Sequence, residues 1–163
     1  MSLVLVTGAS GNVGSRIVRR LVARGIPVYA LDLNRPLLER LLAADYASRP
    51  DRLSTTPRKP DFRWISAKTT IGSGDTQIVI YPAGEENGER MLFVYLPSLK
   101  LLYTADEIQP TGGGRFFMPE YLQEVQDVIT REGLTVDRIF GMHAPPTPWP
   151  VVQAALAAAR GGS

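Results

Sequence analysis

The sequence predicts a single α/β domain over residues 1–160, in which a βαβ unit is continued by a largely antiparallel sheet with helices on one face. Three observations predict it. An apolar run, Leu3-Val4-Leu5-Val6, enters a turn with glycines at positions 8, 11 and 14. Four β-rich runs between residues 62 and 104 are divided by turns rich in glycine and proline, and the later segment Pro119 to Arg131 carries apolar residues at helical spacing.

The elements follow in order. The opening strand ends in Gly8-Ala9-Ser10-Gly11-Asn12-Val13-Gly14, a turn whose glycines let the chain reverse and let its backbone approach an anion at the start of a helix. In that helix Val13, Ile17, Val18, Leu21 and Val22 share one face. Arg16, Arg19, Arg20 and Arg24 read as a solvated basic face, and Gly25 stops the helix. A second strand, Pro27 to Leu31, ends at Asp32, which lies 24 positions after Gly8. A helix is predicted from about Pro36 to Ala47 with Asn34 as its cap, followed by a polar connection over residues 49–61. Runs at Phe62 to Ser66, Thr76 to Tyr81, Met91 to Tyr95 and Leu101 to Thr104 read as an antiparallel meander. Then come a helix from Pro119 to Arg131 stopped by Gly133, a strand from Arg138 to Met142, a loop from His143 to Pro146, and a last helix from about Pro148 with Thr147 as its cap. Gly161-Gly162-Ser163 reads as a linker remnant outside the domain.

Composition narrows the function classes. The 163 residues are 44% hydrophobic and 21% charged, with a formal net charge of +2. No long basic run or aromatic-basic interleaving is present, so no nucleic-acid partner is expected. The absence of cysteine excludes a disulfide framework, a thiolate zinc site and a cysteine nucleophile. The opening apolar run is too short for a membrane span and lacks a basic leader, so a soluble, cytoplasmic protein with no membrane partner is expected.

Two resemblances sharpen these expectations. Residues 1–34, through the 8, 11, 14 glycine spacing and Asp32, resemble the Rossmann-like NAD(P)-binding βαβ unit of extended or atypical short-chain dehydrogenases. That resemblance implies that Gly8 to Gly14 hold the phosphates of NAD or NADP and that Asp32 receives the ribose hydroxyls, its charge favouring NAD. The family's Tyr-x-x-x-Lys pair is absent, because Tyr95 has Leu99 at that offset and Lys100 one position further. Residues 35–160 resemble the C-terminal half of metallo-β-lactamase-fold proteins. The resemblance rests on Phe93-Val94-Tyr95-Leu96-Pro97, on Lys100-Leu101-Leu102-Tyr103-Thr104-Ala105-Asp106, and on Gly141-Met142-His143-Ala144-Pro145-Pro146-Thr147-Pro148-Trp149. It implies that Asp106 bridges two metals and His143 binds one. The family's His-x-His-x-Asp-His motif would fall at Gly8 to Val13, where there is no histidine, and the further metal histidine has no counterpart near Glu86 to Glu89. With Glu107 as the nearest helper, zinc is not expected, and Asp106 and His143 read as vestigial ligands.

Together these readings describe a chimera of two folds joined between Ala23 and Asp32. Half of a metallo-β-lactamase sandwich would leave a sheet face bare. Ile78, Ile80, Leu92, Val94 and Ile139 are expected to form it, and a two-fold homodimer to rebuild an α/β/β/α sandwich. The expected function is a dinucleotide-binding module without catalytic machinery. The alternatives are a degenerate metal-dependent hydrolase, a ligand-free engineered scaffold, and a dehydrogenase using Tyr95, Tyr103 or Lys100.

Overall fold

The computed structural model describes residues 4–6, 9, 12–44, 47–83 and 91–161, and the chain divides into two compact units, residues 1–67 and 68–163. In the first unit, β1 (Val4–Leu5), α1 (Asn12–Ala23), β2 (Val28–Leu31), α2 (Arg35–Ala43), α3 (Arg52–Thr55) and β3 (Phe62–Ile65) follow one another. The strands form one parallel sheet in the order β1-β2-β3. The expected βαβ unit is therefore present as local structure. Its continuation differs from the expected meander, because β3 pairs parallel with β2, Val28 opposite Phe62 and Leu31 opposite Ile65. The reason is the long crossover through α2 and α3, which returns the chain to its starting end so that the next strand runs the same way.

Helix α1 also departs from its expected orientation. Val18 and Val22 are buried as predicted, but Val13 is 72% exposed and Ile17 43%, while Arg19 is only 4% exposed. The buried stripe is rotated toward Arg19 because that guanidinium finds acceptors on α2 and α3. Gly25 ends α1 at φ +69°, donating its N–H to the Val22 carbonyl at 2.9 Å, as a C-terminal glycine does. Asn34 occupies the cap position of α2 without making a side-chain cap hydrogen bond.

The second unit contains β4 (Thr69–Ile71), β5 (Ile78–Ala83), β6 (Met91–Leu96), β7 (Leu101–Tyr103), β8 (Pro110–Gly112), β9 (Arg115–Phe116), α4 (Pro119–Arg131), β10 (Arg138–Phe140), β11 (Thr147–Pro148) and α5 (Trp149–Gly161). Its main sheet has the order β11-β10-β7-β6-β5-β4. Strands β4 to β7 are antiparallel neighbours, and β10 joins β7 in parallel after the α4 crossover. Helix α4 has the predicted limits, with Pro119 in its first turn and Gly133 at φ +61° just beyond its end. Thr147 lies in β11 and its hydroxyl donates to the Pro145 carbonyl at 2.9 Å, so it does not cap α5.

Register fixes what each sheet face does. Val79, Tyr95, Leu102 and Ile139 lie in one row across β5, β6, β7 and β10. They share a core with Leu122, Val125 and Val128 of α4 and with Val152 and Leu156 of α5. Ile139 therefore belongs to the helix-covered face, not to the one assigned to it from sequence. Ile80, Leu92 and Val94 are buried within the single chain, at 0%, 1% and 9% exposure. Among the described residues, no helix is long and apolar enough to cross a membrane.

Candidate functional site

The chemistry-bearing residues that the structure brings together are Asp106 and His143. They stand just beyond the C-terminal ends of the parallel neighbours β7 and β10, where ligands collect in sheets with crossover connections. His143 Nε2 lies 3.4 Å from Asp106 Oδ1, with the side chains 58% and 46% exposed, and the contact is an ion pair only when the imidazole is protonated.

Backbone geometry holds this corner. The Thr104 N–H donates to the Phe140 carbonyl at 3.0 Å, and the Met142 N–H donates to the Ala105 carbonyl at 2.7 Å. Ala105 adopts φ +51°, in the left-handed region that residues with a Cβ seldom occupy. A Cβ at Gly141 would lie 2.5 Å from the Ala105 carbonyl oxygen and 3.0 Å from Ile108 Cγ1. Glycine at 141 is thus what allows the two strand ends to approach. The Gly141 N–H also donates to the Ala144 carbonyl at 3.1 Å, closing the turn that presents His143, and Gln109 Nε2 donates to the Asp106 carbonyl at 2.9 Å.

Among the described residues, no third ligand joins this corner. Glu107 is fully buried, and no group of three or more His, Cys, Asp or Glu side chains able to hold a metal occurs among the described residues. The sequence itself carries one histidine and no cysteine.

In the first unit, Gly8, Ser10 and Gly11 lie outside the described residues, and Asn12 is described only as the first residue of α1. Ala9 is buried, Gly14 is buried within α1, and Val13 projects to the surface. Asp32 opens a short helical turn after β2, and its Oδ1 is 2.6 Å from Arg35 Nη2. Arg35 in turn stacks over Trp64, 4.7 Å from the ring centroid.

Sequence reasoning missed the polar anchor of this unit. Arg19 donates through Nε to Asp51 Oδ2 at 2.6 Å and through Nη2 to Asp51 Oδ1 at 2.8 Å. Its Nη1 reaches the Leu41 carbonyl at 3.2 Å, and Asp51 also caps α3 by accepting from the Ser54 N–H at 2.9 Å. The hydrogen-bonded Arg19 guanidinium holds the Asp51 carboxyl well below the usual carboxylate range, against the opposing effect of burial. The available signal was Asp51-Arg52-Leu53-Ser54, whose acid is spaced to cap a short helix.

No family model matches the chain, and no curated protein matches it. Solved structures do. A metallo-β-lactamase from Pontibacter korlensis is 18% identical, with a TM-score of 0.56 over 90% of this chain and 62% of that one. The TMB-1 structure is 15% identical, with a TM-score of 0.60 over 97% of this chain and 67% of its own. The DIM-1 metallo-β-lactamase exposed to ceftazidime is 13% identical, with a TM-score of 0.59 over 98% and 67%. The chain thus spans 62% to 67% of the length of these proteins.

These likenesses correct the chimera reading. The chimera reading gives residues 1–34 to a different fold from the rest, whereas 90% to 98% of the chain aligns as one unit with metallo-β-lactamase-fold structures. The fold class is the metallo-β-lactamase fold along nearly the whole chain. The assignment of residues 1–34 to a dinucleotide-binding module, with the NAD(P)-binding function drawn from it, is replaced accordingly. The physical source of the error is that β1-α1-β2 is a unit common to both folds, so glycine spacing and a strand-end acid carried more weight than they could bear.

Proposed function

We propose that this is a metallo-β-lactamase-fold protein whose metal-dependent hydrolytic site is degenerate. The observation that supports the reading is the β7–β10 corner, where Asp106 and His143 converge to 3.4 Å without a third described ligand. A catalytic zinc takes about three protein ligands and keeps an open position for water. Two exposed ligands give a divalent ion little enthalpy and little protection from solvent, so binding no tighter than about micromolar is expected. The proposal includes a cytoplasmic setting, which accords with a cysteine-free chain.

The test is equilibrium dialysis of the chelator-treated protein against zinc, alongside hydrolysis of a chromogenic β-lactam. The expected result is weak zinc uptake that His143→Ala removes, with no hydrolysis above buffer. Stoichiometric zinc retained through gel filtration, together with hydrolysis that His143→Ala abolishes, would overturn the proposal.

A further inference from the structure

We propose that the first unit holds a binding site for a small apolar molecule carrying one anionic group, in a cavity of about 720 Å³ whose described lining runs from Arg19 to Trp64. That volume lies within the range of about 300–1,000 Å³ typical of small-molecule sites. Its apolar wall comes from Val22 of α1, Leu42 of α2, Leu53 of α3, and Phe62 and Trp64 of β3. The two rings are held in place. Their centroids are 4.5 Å apart at a 37° tilt, and Arg35 covers the Trp64 ring.

The charge on the lining sets the ligand's sign. Arg19 is taken by Asp51, and Asp61 is paired with Arg63 at 3.6 Å. What remains in the lining is Arg58, Lys59 and Glu39, none of which has an ion-pair partner among the described residues. Two cations against one carboxylate leave a single unbalanced positive charge. A monoanion matches it, and a polyphosphate would not.

Arg58 is positioned without a carboxylate. Its Nη1 occupies the space that a Cβ on Gly25 would fill. The guanidinium therefore lies beside Gly25 at the C-terminal end of α1, where the helix's partial negative charge favours a cation without neutralising it. An incoming carboxylate supplies the full counter-charge, and the apolar wall takes the body of the molecule out of water.

The test is calorimetric titration of the full chain with octanoate and naphthoate, against octanol and naphthamide as uncharged counterparts. Saturable one-to-one binding of at least one anion is expected, at least about tenfold tighter than its neutral counterpart. Lys59→Gln and Arg58→Gln should each weaken it several-fold. Ala43→Phe, which places a ring in the cavity from an exposed helix position, should abolish it with the urea midpoint unchanged. Preference for octanoate assigns an aliphatic ligand and preference for naphthoate an aromatic one. Should Arg58→Gln unfold the unit, Lys59→Gln still decides. Absence of binding at millimolar ligand, equal affinity for the neutral counterparts, or binding that survives Ala43→Phe would each overturn the proposal.

Discussion

Replacing Asp51 by Asn tests whether the first unit depends on its buried cation. The Arg19 side chain is 5% exposed and that of Asp51 39%, so removing the negative charge leaves a guanidinium in the interior with neutral acceptors only. Breaking a fully buried ion pair costs about 3–5 kcal/mol, and an exposed pair contributes about 0–1 kcal/mol. Because more than a third of Asp51 meets water, we place the Asn substitution between these limits, at a loss of about 1–2 kcal/mol at pH 7. Asn caps a helix about as well as Asp, so the α3 cap survives in that variant. Asp51→Ala removes it as well and should cost about 1 kcal/mol more. The pH dependence is fixed in sign. A carboxyl with a depressed folded-state pKa stabilises the fold above its unfolded pKa of about 4, and the contribution is lost as the pH falls through the folded-state value. The gap in urea midpoint between the wild-type protein and Asp51→Asn should therefore be full at pH 7 and narrow below about pH 4. Hydrogen exchange over α1, α2 and α3 would localise the loss. A variant within about 0.3 kcal/mol of wild type at pH 7, or a gap that widens in acid, would refute the reasoning.

Gly141→Ala should destabilise the second unit by about 1–3 kcal/mol, because its Cβ meets the Ala105 carbonyl oxygen at 2.5 Å, and it should shift the imidazole resonance of His143, the chain's one histidine. Tyr95→Phe removes the hydroxyl that donates to the Thr135 carbonyl at 2.6 Å, at a cost of about 1 kcal/mol in thermal or urea unfolding. Burial pushes the Tyr95 phenol above its usual range, so this residue's contribution is present below about pH 10 and fades above it; the variant's pH profile should be flatter there. Leu102→Ala, at a fully buried position of the row shared with α4 and α5, should cost about 2–5 kcal/mol, whereas Met142→Ala, at 67% exposure, should stay within about 0.5 kcal/mol by the same measurement.

How far the fold could be read from sequence depended on the range of the interaction that fixes each element. Helix α4 was legible at both ends because Pro119 and Gly133 act within a few residues of themselves, and its buried Leu122, Val125, Val128 and Ile129 follow the helical period. The Asp106–His143 corner was legible through short motifs, but their convergence required the parallel pairing of β10 with β7. Three features were out of reach. The direction of β3 depends on a crossover, and alternation along a strand carries no record of pairing direction. The burial of Arg19 depends on Asp51, 32 positions away, so a count of charged residues on one helix placed it in solvent. Ile139 was assigned to the wrong face because alternation within β10 says nothing about which residue of β7 stands opposite; its partner Leu102 puts it against the helices. The misassigned identity of residues 1–34 has the same origin at a larger scale. A strand, a glycine-bearing turn, a helix and a second parallel strand satisfy local physics in either fold, and only the sheet that the rest of the chain builds distinguishes them.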